Sequence, residues 1–295
     1  MIEYNRYSWW VTVFSFRGTA LPRALGRVAI FTLYTATIQF AVDVGVYIGW
    51  FTEHTSLSLD PIAHAVLGSL LGFLIVFRMN GSNARYWEGR SHWGTLINCS
   101  RNLVRAGSVH TSAGIELAGL VTGYSIALRQ SLRGSRDLDE AAVYLPDAVL
   151  QTAKRFGNPP TAIASAISAW IAREYRAGVI DGVMVRHLEE LLSRMVDAQG
   201  GCEKIQKTPL PFVYAAMIKQ LILAYLLTLP LVMADRCGWW SPLLMAVVSL
   251  GLFGMEEASV ETEDPFGKDG NCLDLETFTL TIARDTGQLA AQGRA

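Results

Sequence analysis

Four long stretches of this chain are apolar almost throughout, and a different, amphipathic pattern fills the space between the second and the third. The first runs from about Val28 to Phe51, the second from Pro61 to Phe77, the third from Pro209 to Ala234, and the fourth from Trp239 to Met255. Roughly 17–25 apolar residues cross a bilayer as a helix, so each stretch is predicted to be a transmembrane helix. Between the second and third stretches, apolar positions recur at three- and four-residue steps. An example is His187-Leu188-Glu189-Glu190-Leu191-Leu192, continuing to Met195 and Val196. That period is helical, and strand alternation is almost missing. Ile115 to Leu128 is apolar enough to suggest a fifth span, but it contains Glu116 and sits between short polar turns. A buried cytoplasmic helix is the better reading. Gly157-Asn158-Pro159-Pro160 is a helix breaker.

These elements predict an all-α membrane protein with a cytosolic helical domain. The expected divisions are a segment over 1–26, membrane helices over 27–97, a cytosolic helical domain over 98–200, further membrane helices over 201–258 and a tail over 259–295. The first segment is aromatic and basic, with Tyr4, Tyr7, Trp9, Trp10, Phe14 and Phe16 beside Arg6, Arg17 and Arg23. Such rings settle at headgroup level, so it is expected to lie at the membrane interface. Arg17, Arg23 and Arg27 precede the first span, Arg78, Arg85 and Arg90 follow the second, and Lys204 and Lys207 precede the third. The loop TEHTSLSLD, residues 52–60, carries no Lys or Arg. By the positive-inside rule both termini are cytoplasmic. The N-terminus has no uninterrupted apolar core followed by a small-residue cleavage site, so no secretory signal peptide is expected.

Composition narrows the function. The chain has 295 residues, is 51% hydrophobic and carries a formal net charge of −1. No basic field points to nucleic acid. Cys99, Cys202, Cys237 and Cys272 are scattered without a CxxC pair, so neither a disulfide framework nor a zinc site is expected. The histidines His54, His64, His92, His110 and His187 make no metal-binding spacing, and no GxSxG, Walker or GxGxxG motif occurs. Neither an enzyme nor a cofactor is expected.

Ionisable residues inside the apolar stretches are costly unless they pair or face water, which makes Asp43, Arg78, Lys219, Glu256 and Glu257 functional candidates. Along the second span Ser69, Phe73 and Phe77 stand at i, i+4 and i+8, on one helical face. Gly68 and Gly72 form a GxxxG that lets backbones approach. In a ring of such helices, Phe73 and Phe77 would form a narrow apolar throat, although aromatic and GxxxG faces also serve plain helix packing. Arg78 and Arg85 suit a positive vestibule, or simply anchor the span's end. Gly201-Cys202-Glu203 and Pro209-Leu210-Pro211 mark the return from cytosolic helices to the membrane, since Pro fixes the entry angle of a helix. Asp264-Pro265-Phe266-Gly267 follows the fourth span. Its carboxylate neighbours admit Ca²⁺ ligation or a structural turn, and the turn fits the diluted spacing better.

FRMNGSNARYWEGRSHWGTLIN, GGCEKIQKTPLPFVYA and ETEDPFG, in this order, resemble the bestrophin family, in particular its bacterial members. The resemblance covers nearly the whole chain. It implies a homopentamer around one axial pore, with four membrane helices per subunit. It also implies a three-residue apolar neck on the second span. Counted back from Arg78, the neck falls on Ser69, Phe73 and Phe77, where Ser69 replaces a larger apolar residue. A second, cytosolic constriction falls near Val183. Animal members carry a dense acidic run after PFG, which is missing here, so Ca²⁺ gating is not expected. The expected permeant species is chloride or another small monovalent anion, in a bacterial inner membrane. A monovalent-cation channel of the same type is the alternative. A carrier is a further one, although the inverted repeats it would need are not visible.

Overall fold

The computed structural model describes residues 5, 7–16, 18–50 and 60–293; Arg6, Arg17, His54 and most of the TEHTSLSLD loop lie outside them, as does the Asp235 side chain. Among the described residues there are ten α-helices and no strand. They are α1 (Trp9–Val13), α2 (Leu21–Tyr47), α3 (Pro61–His110), α4 (Gly114–Leu132), α5 (Asp147–Arg155), α6 (Pro159–Arg176), α7 (Gly182–Lys207), α8 (Phe212–Cys237), α9 (Ser241–Glu263) and α10 (Leu275–Gln292). Two compact units result, one of residues 2–85 and 210–263, the other of residues 86–209 and 264–295. The break between them falls at Arg85/Tyr86, inside α3, which also passes through residue 97 without interruption.

The first unit holds α2, α8, α9 and the start of α3. Four helices of the chain, α2, α3, α8 and α9, have the length and apolarity to cross a membrane. Their bounds differ from the apolar stretches at the polar ends. α2 begins at Leu21, several residues before Val28, and α9 continues past Met255 to Glu263. Hydropathy stops at the first charges, whereas the backbone ladder runs on wherever those charges find partners. The core of this unit is small: Phe31, Leu71, Ile75, Ile222, Leu226 and Met245 pack together. Only 22–33% of each apolar window is buried within the subunit. So much apolar surface in water would be an aggregation site; in a bilayer it needs no cover. At the end of α2 the Trp50 amide donates to the Gly45 carbonyl (2.9 Å) and the Gly49 amide to Val46 (3.1 Å). Gly49 takes φ +76°, the left-handed cap that ends a helix in this motif. In the N-terminal segment, α1 exposes Trp9, Trp10 and Phe14, and the Trp10 and Phe14 rings stack at 6.2 Å.

The second unit is built around α4. Leu117, Leu120, Val121, Tyr124 and Leu128 are buried on several sides, and α4 packs against α6, α7 and α10. A helix that is apolar all round belongs at the centre of a bundle. This explains the hydropathy of Ile115 to Leu128, which is the buried helix expected and no fifth span. The breaker at Gly157–Pro160 starts α6: Asn158 caps it by accepting from the Thr161 amide, and Pro159 and Pro160 fill the first turn.

Candidate permeation face and the ion network behind it

α3 has two opposite faces within the membrane unit. His64, Leu71, Ile75, Arg78 and Ser82 are buried. Ile62, Val66, Ser69, Phe73, Val76 and Phe77 are exposed at the centre of an open face that, with Ala63, Ala65, Leu70 and Gly72, takes about half of the helix circumference at ~3.6 residues per turn. Phe73 and Phe77 are 61% and 55% exposed, with ring centroids 4.5 Å apart and planes at 90°. That edge-to-face geometry is a favoured aromatic pairing and stiffens the two side chains against each other. Ser69 is exposed on the same face and spends its hydroxyl proton on the Ala65 carbonyl (2.9 Å), leaving its lone pairs outward. The GxxxG glycines part company. Gly68 lies under the Tyr225 ring of α8, 3.0 Å from where a Cβ would sit, while Gly72 faces open space.

Behind this face, the charges that looked isolated in the apolar stretches are paired. Glu256 on α9 is 3% exposed and draws three cations: Arg78 Nη1 at 3.4 Å, Lys219 Nζ at 3.5 Å and Arg27 Nη1 at 3.5 Å. Glu257 accepts from Arg27 Nη2 at 2.9 Å, and Glu261 from Arg23 Nη1 at 2.7 Å. Glu263 lies 3.9 Å from Arg78 and accepts from the Leu210 amide at 2.8 Å. Arg23, Arg27, Arg78 and Lys219 thus balance Glu256, Glu257, Glu261 and Glu263, four against four. Arg78 is 6% exposed, so its charge is turned inward to Glu256 and is not presented as a free vestibule charge. Arg85 is half-buried and donates its Nε–H to the Glu263 carbonyl (3.1 Å). At the other end of α2, Asp43 accepts from Gln39 (3.0 Å) and from the Trp239 indole (2.9 Å).

The remaining motif residues stand in the second unit or at its edge. Glu203 on α7 accepts from Gln199 (2.7 Å), Asn158 (2.8 Å) and Lys207 (3.0 Å), and the Gln199 carbonyl oxygen accepts from the Tyr124 hydroxyl (2.9 Å). Burial alone would raise the Glu203 carboxyl; the hydrogen bonds from Gln199, Asn158 and Lys207 outweigh it and hold the group below the usual glutamate range. Cys202 beside it is fully buried, and burial pushes its thiol up to about 12, so it is an inert packing residue. Any side chain at Gly201 would collide with the His92 ring. Pro209 lies in the short break after α7, and Pro211 is the residue before the first turn of α8. Asp264 accepts from the Phe266 amide (3.2 Å), Phe266 is fully buried, and the Leu273 amide returns to the Pro265 carbonyl (2.9 Å). Gly267 completes this closed turn against Cys272. Among the described residues no cluster of His, Cys, Asp or Glu has metal-binding geometry. Val183, in the first turn of α7, is 77% exposed.

A family model for bacterial and fungal bestrophin proteins matches residues 1–288. The chain belongs to that family. Curated relatives include a voltage-dependent anion channel-forming protein of Nostoc, 30% identical over 96% of this chain and 92% of its own length. A Synechocystis protein of the same description is 31% identical over 93% and 89%. Among solved structures, a point variant of a bacterial bestrophin homologue from Klebsiella pneumoniae superposes with a TM-score of 0.84 at 21% identity. It covers 92% of this chain and all of that one. A second structure of the Klebsiella homologue gives 0.82 at 21% identity. The bestrophin fold is therefore shared, and the four long apolar helices make this a membrane protein.

Sequence reasoning missed the partners of the embedded charges. The chain marks Arg23 only as an interfacial, cytoplasmic-side charge, and nothing in it singles out Glu261. The signal was present: Arg23 and Arg27 stand at i and i+4, as do Glu257 and Glu261, so each pair shares one face of its helix. What the chain does not spell out is that α2 and α9 are neighbours.

Proposed function

We propose that this protein is a passive channel for small monovalent anions such as chloride, assembled as a homopentamer in a bacterial inner membrane. Ser69, Phe73 and Phe77 line its axial neck. The observation that carries this reading is the exposed, edge-to-face Phe73–Phe77 pair, which the subunit leaves without a partner of its own. Around a five-fold axis these rings form an apolar constriction that ions cross with partial dehydration. Ring edges are electropositive, so a neck of Phe edges favours anions. The names of the Nostoc and Synechocystis relatives agree with that sign. A cation-selective channel would draw on acidic groups lining the vestibules; of these, Glu256 and Glu257 are buried and ion-paired within the subunit, which supports the anion reading. Val183, exposed at the start of α7, is assigned to the cytosolic constriction.

The test is the reversal potential of the purified protein in planar bilayers under a KCl gradient. A value near the chloride equilibrium potential is expected; one near the potassium potential overturns anion selection. Phe73→Ala and Phe77→Ala are expected to raise conductance and weaken selectivity, whereas truncating Leu33 on α2 is not. Parent-like currents from both Phe variants would remove these residues from the neck.

A further inference from the structure

At one end of the membrane unit a cavity of about 310 Å³ opens beside the ion network, lined by Arg27, Ile30, Lys219, Leu223, Phe253 and Glu256 among others. Its two ends differ in chemistry. Arg27 and Lys219 stand at the polar end, with side chains 44% and 58% exposed. Ile30 and Leu223, 65% and 50% exposed, form an apolar wall that continues along α2 and α8. The polar end sits at a defined depth. Arg27 is six residues into α2, Lys219 seven residues into α8, and Glu256 seven residues before the end of α9. At ~1.5 Å per residue each lies about 10 Å from its helix end, close to the boundary between headgroups and hydrocarbon.

Arg27 and Lys219 line the cavity beside one carboxylate, Glu256. Arg27 is also held by Glu257 at 2.9 Å, so Lys219 is the cation whose carboxylate is shared. Lys219 is drawn to Glu256 at 3.5 Å, a carboxylate that Arg27 and Arg78 also claim. Glu256 is 3% exposed, and its Oε1 is held by two ion pairs, Arg78 Nη1 at 3.4 Å and Lys219 Nζ at 3.5 Å. The cavity thus offers two half-exposed cations and an apolar wall leading away from them.

We propose that this cavity binds an anionic membrane phospholipid. The phosphodiester lies between Arg27 and Lys219, and an acyl chain runs along Ile30, Leu223 and Phe253. A phosphatidylglycerol head brings a net negative charge to these cations; a phosphatidylcholine head has the same phosphodiester but cancels it with its own quaternary ammonium. The inference rests on the membrane assignment and is independent of the ion-selective reading, because its readout is lipid binding and not current.

The experiment is native mass spectrometry of the full-length protein in mild detergent, titrated with phosphatidylglycerol, phosphatidylcholine or inorganic phosphate. Retention of phosphatidylglycerol over phosphatidylcholine is expected. One lysine near the membrane surface contributes ~1 kcal/mol to anionic-lipid binding, so Lys219→Gln should weaken retention about fivefold. Leu223→Trp, which fills the apolar wall and keeps both cations, should weaken it as well. Melting curves check that both variants are folded. Equal retention of phosphatidylcholine, or parent-like retention by both variants, overturns the proposal. Full competition by inorganic phosphate would assign a free-anion site instead. Lipid binding to the monomer but not to the assembled oligomer would mean that a second copy covers the cavity, and would overturn it too.

Discussion

Arg78 sits in an environment that its neighbours in the chain do not suggest. It follows Phe77 on an apolar helix, yet its guanidinium is buried against Glu256. Two charges taken out of water are tolerated only as a pair, and removing one strands the other. Arg78→Gln is therefore expected to destabilise the protein by about 3 kcal/mol, the low end of the usual range because Arg27 and Lys219 still face Glu256. Thermal unfolding in detergent measures it; an unchanged midpoint would mean the pair contributes nothing net. Gly201 illustrates the opposite constraint, an atom that must be missing. Gly201→Ala forces the His92 ring to swing aside, and the helix propensity gained inside α7 offsets part of that, so a loss of about 1 kcal/mol or less is expected in the same assay.

Among the elements, α3 is asymmetric in a way that its sequence half reveals. The face of Ser69, Phe73 and Phe77 follows directly from four-residue spacing, and the structure leaves that face open. Ser69→Ile places a branched apolar group where a hydroxyl now stands, so single-channel conductance should fall. A conductance identical to the parent's would take Ser69 out of the lining. α10 makes a different point. Its first turn is closed by Asp274, which accepts from the Thr277 amide (3.0 Å) and hydroxyl (2.8 Å). Those two bonds hold the Asp274 carboxyl below the usual aspartate range. Asp274→Ala should cost ~1 kcal/mol and increase amide exchange at the start of α10, which packs on α4.

For the molecule as a whole, the depressed carboxylates set a direction for acid stability. Hydrogen bonds hold Glu203 low against its burial. For Asp285, burial pushes upward, and the bonds from Arg101 and Arg284 outweigh it. A carboxyl with a lower pKa folded than unfolded stabilises the protein above its unfolded value and loses that contribution as pH falls through the folded value. Melting temperature should therefore be flat near neutrality and fall below about pH 4.5, close to the ordinary glutamate value. A midpoint that rises on acidification would contradict the assigned pairing.

Legibility was uneven for stated reasons. The spans, the helical second unit and the buried nature of Ile115 to Leu128 were readable because hydropathy and its period are local properties. The aromatic face of α3 was readable for the same reason. The turn at Asp264–Gly267 was readable because the carboxylates around it are too diluted for a Ca²⁺ loop. The partners of Arg78, Lys219, Glu256 and Glu257 were not readable. Arg78 and Glu256 are far apart in the chain, and their pairing exists only once α3 and α9 share a core. The sequence by itself determined which segments belong in a bilayer and which side chains could line a path through it. Only the tertiary structure decided which charges are free to meet an ion and which are spent on one another. Coulombic pairing depends on distance in space, and helix packing sets that distance.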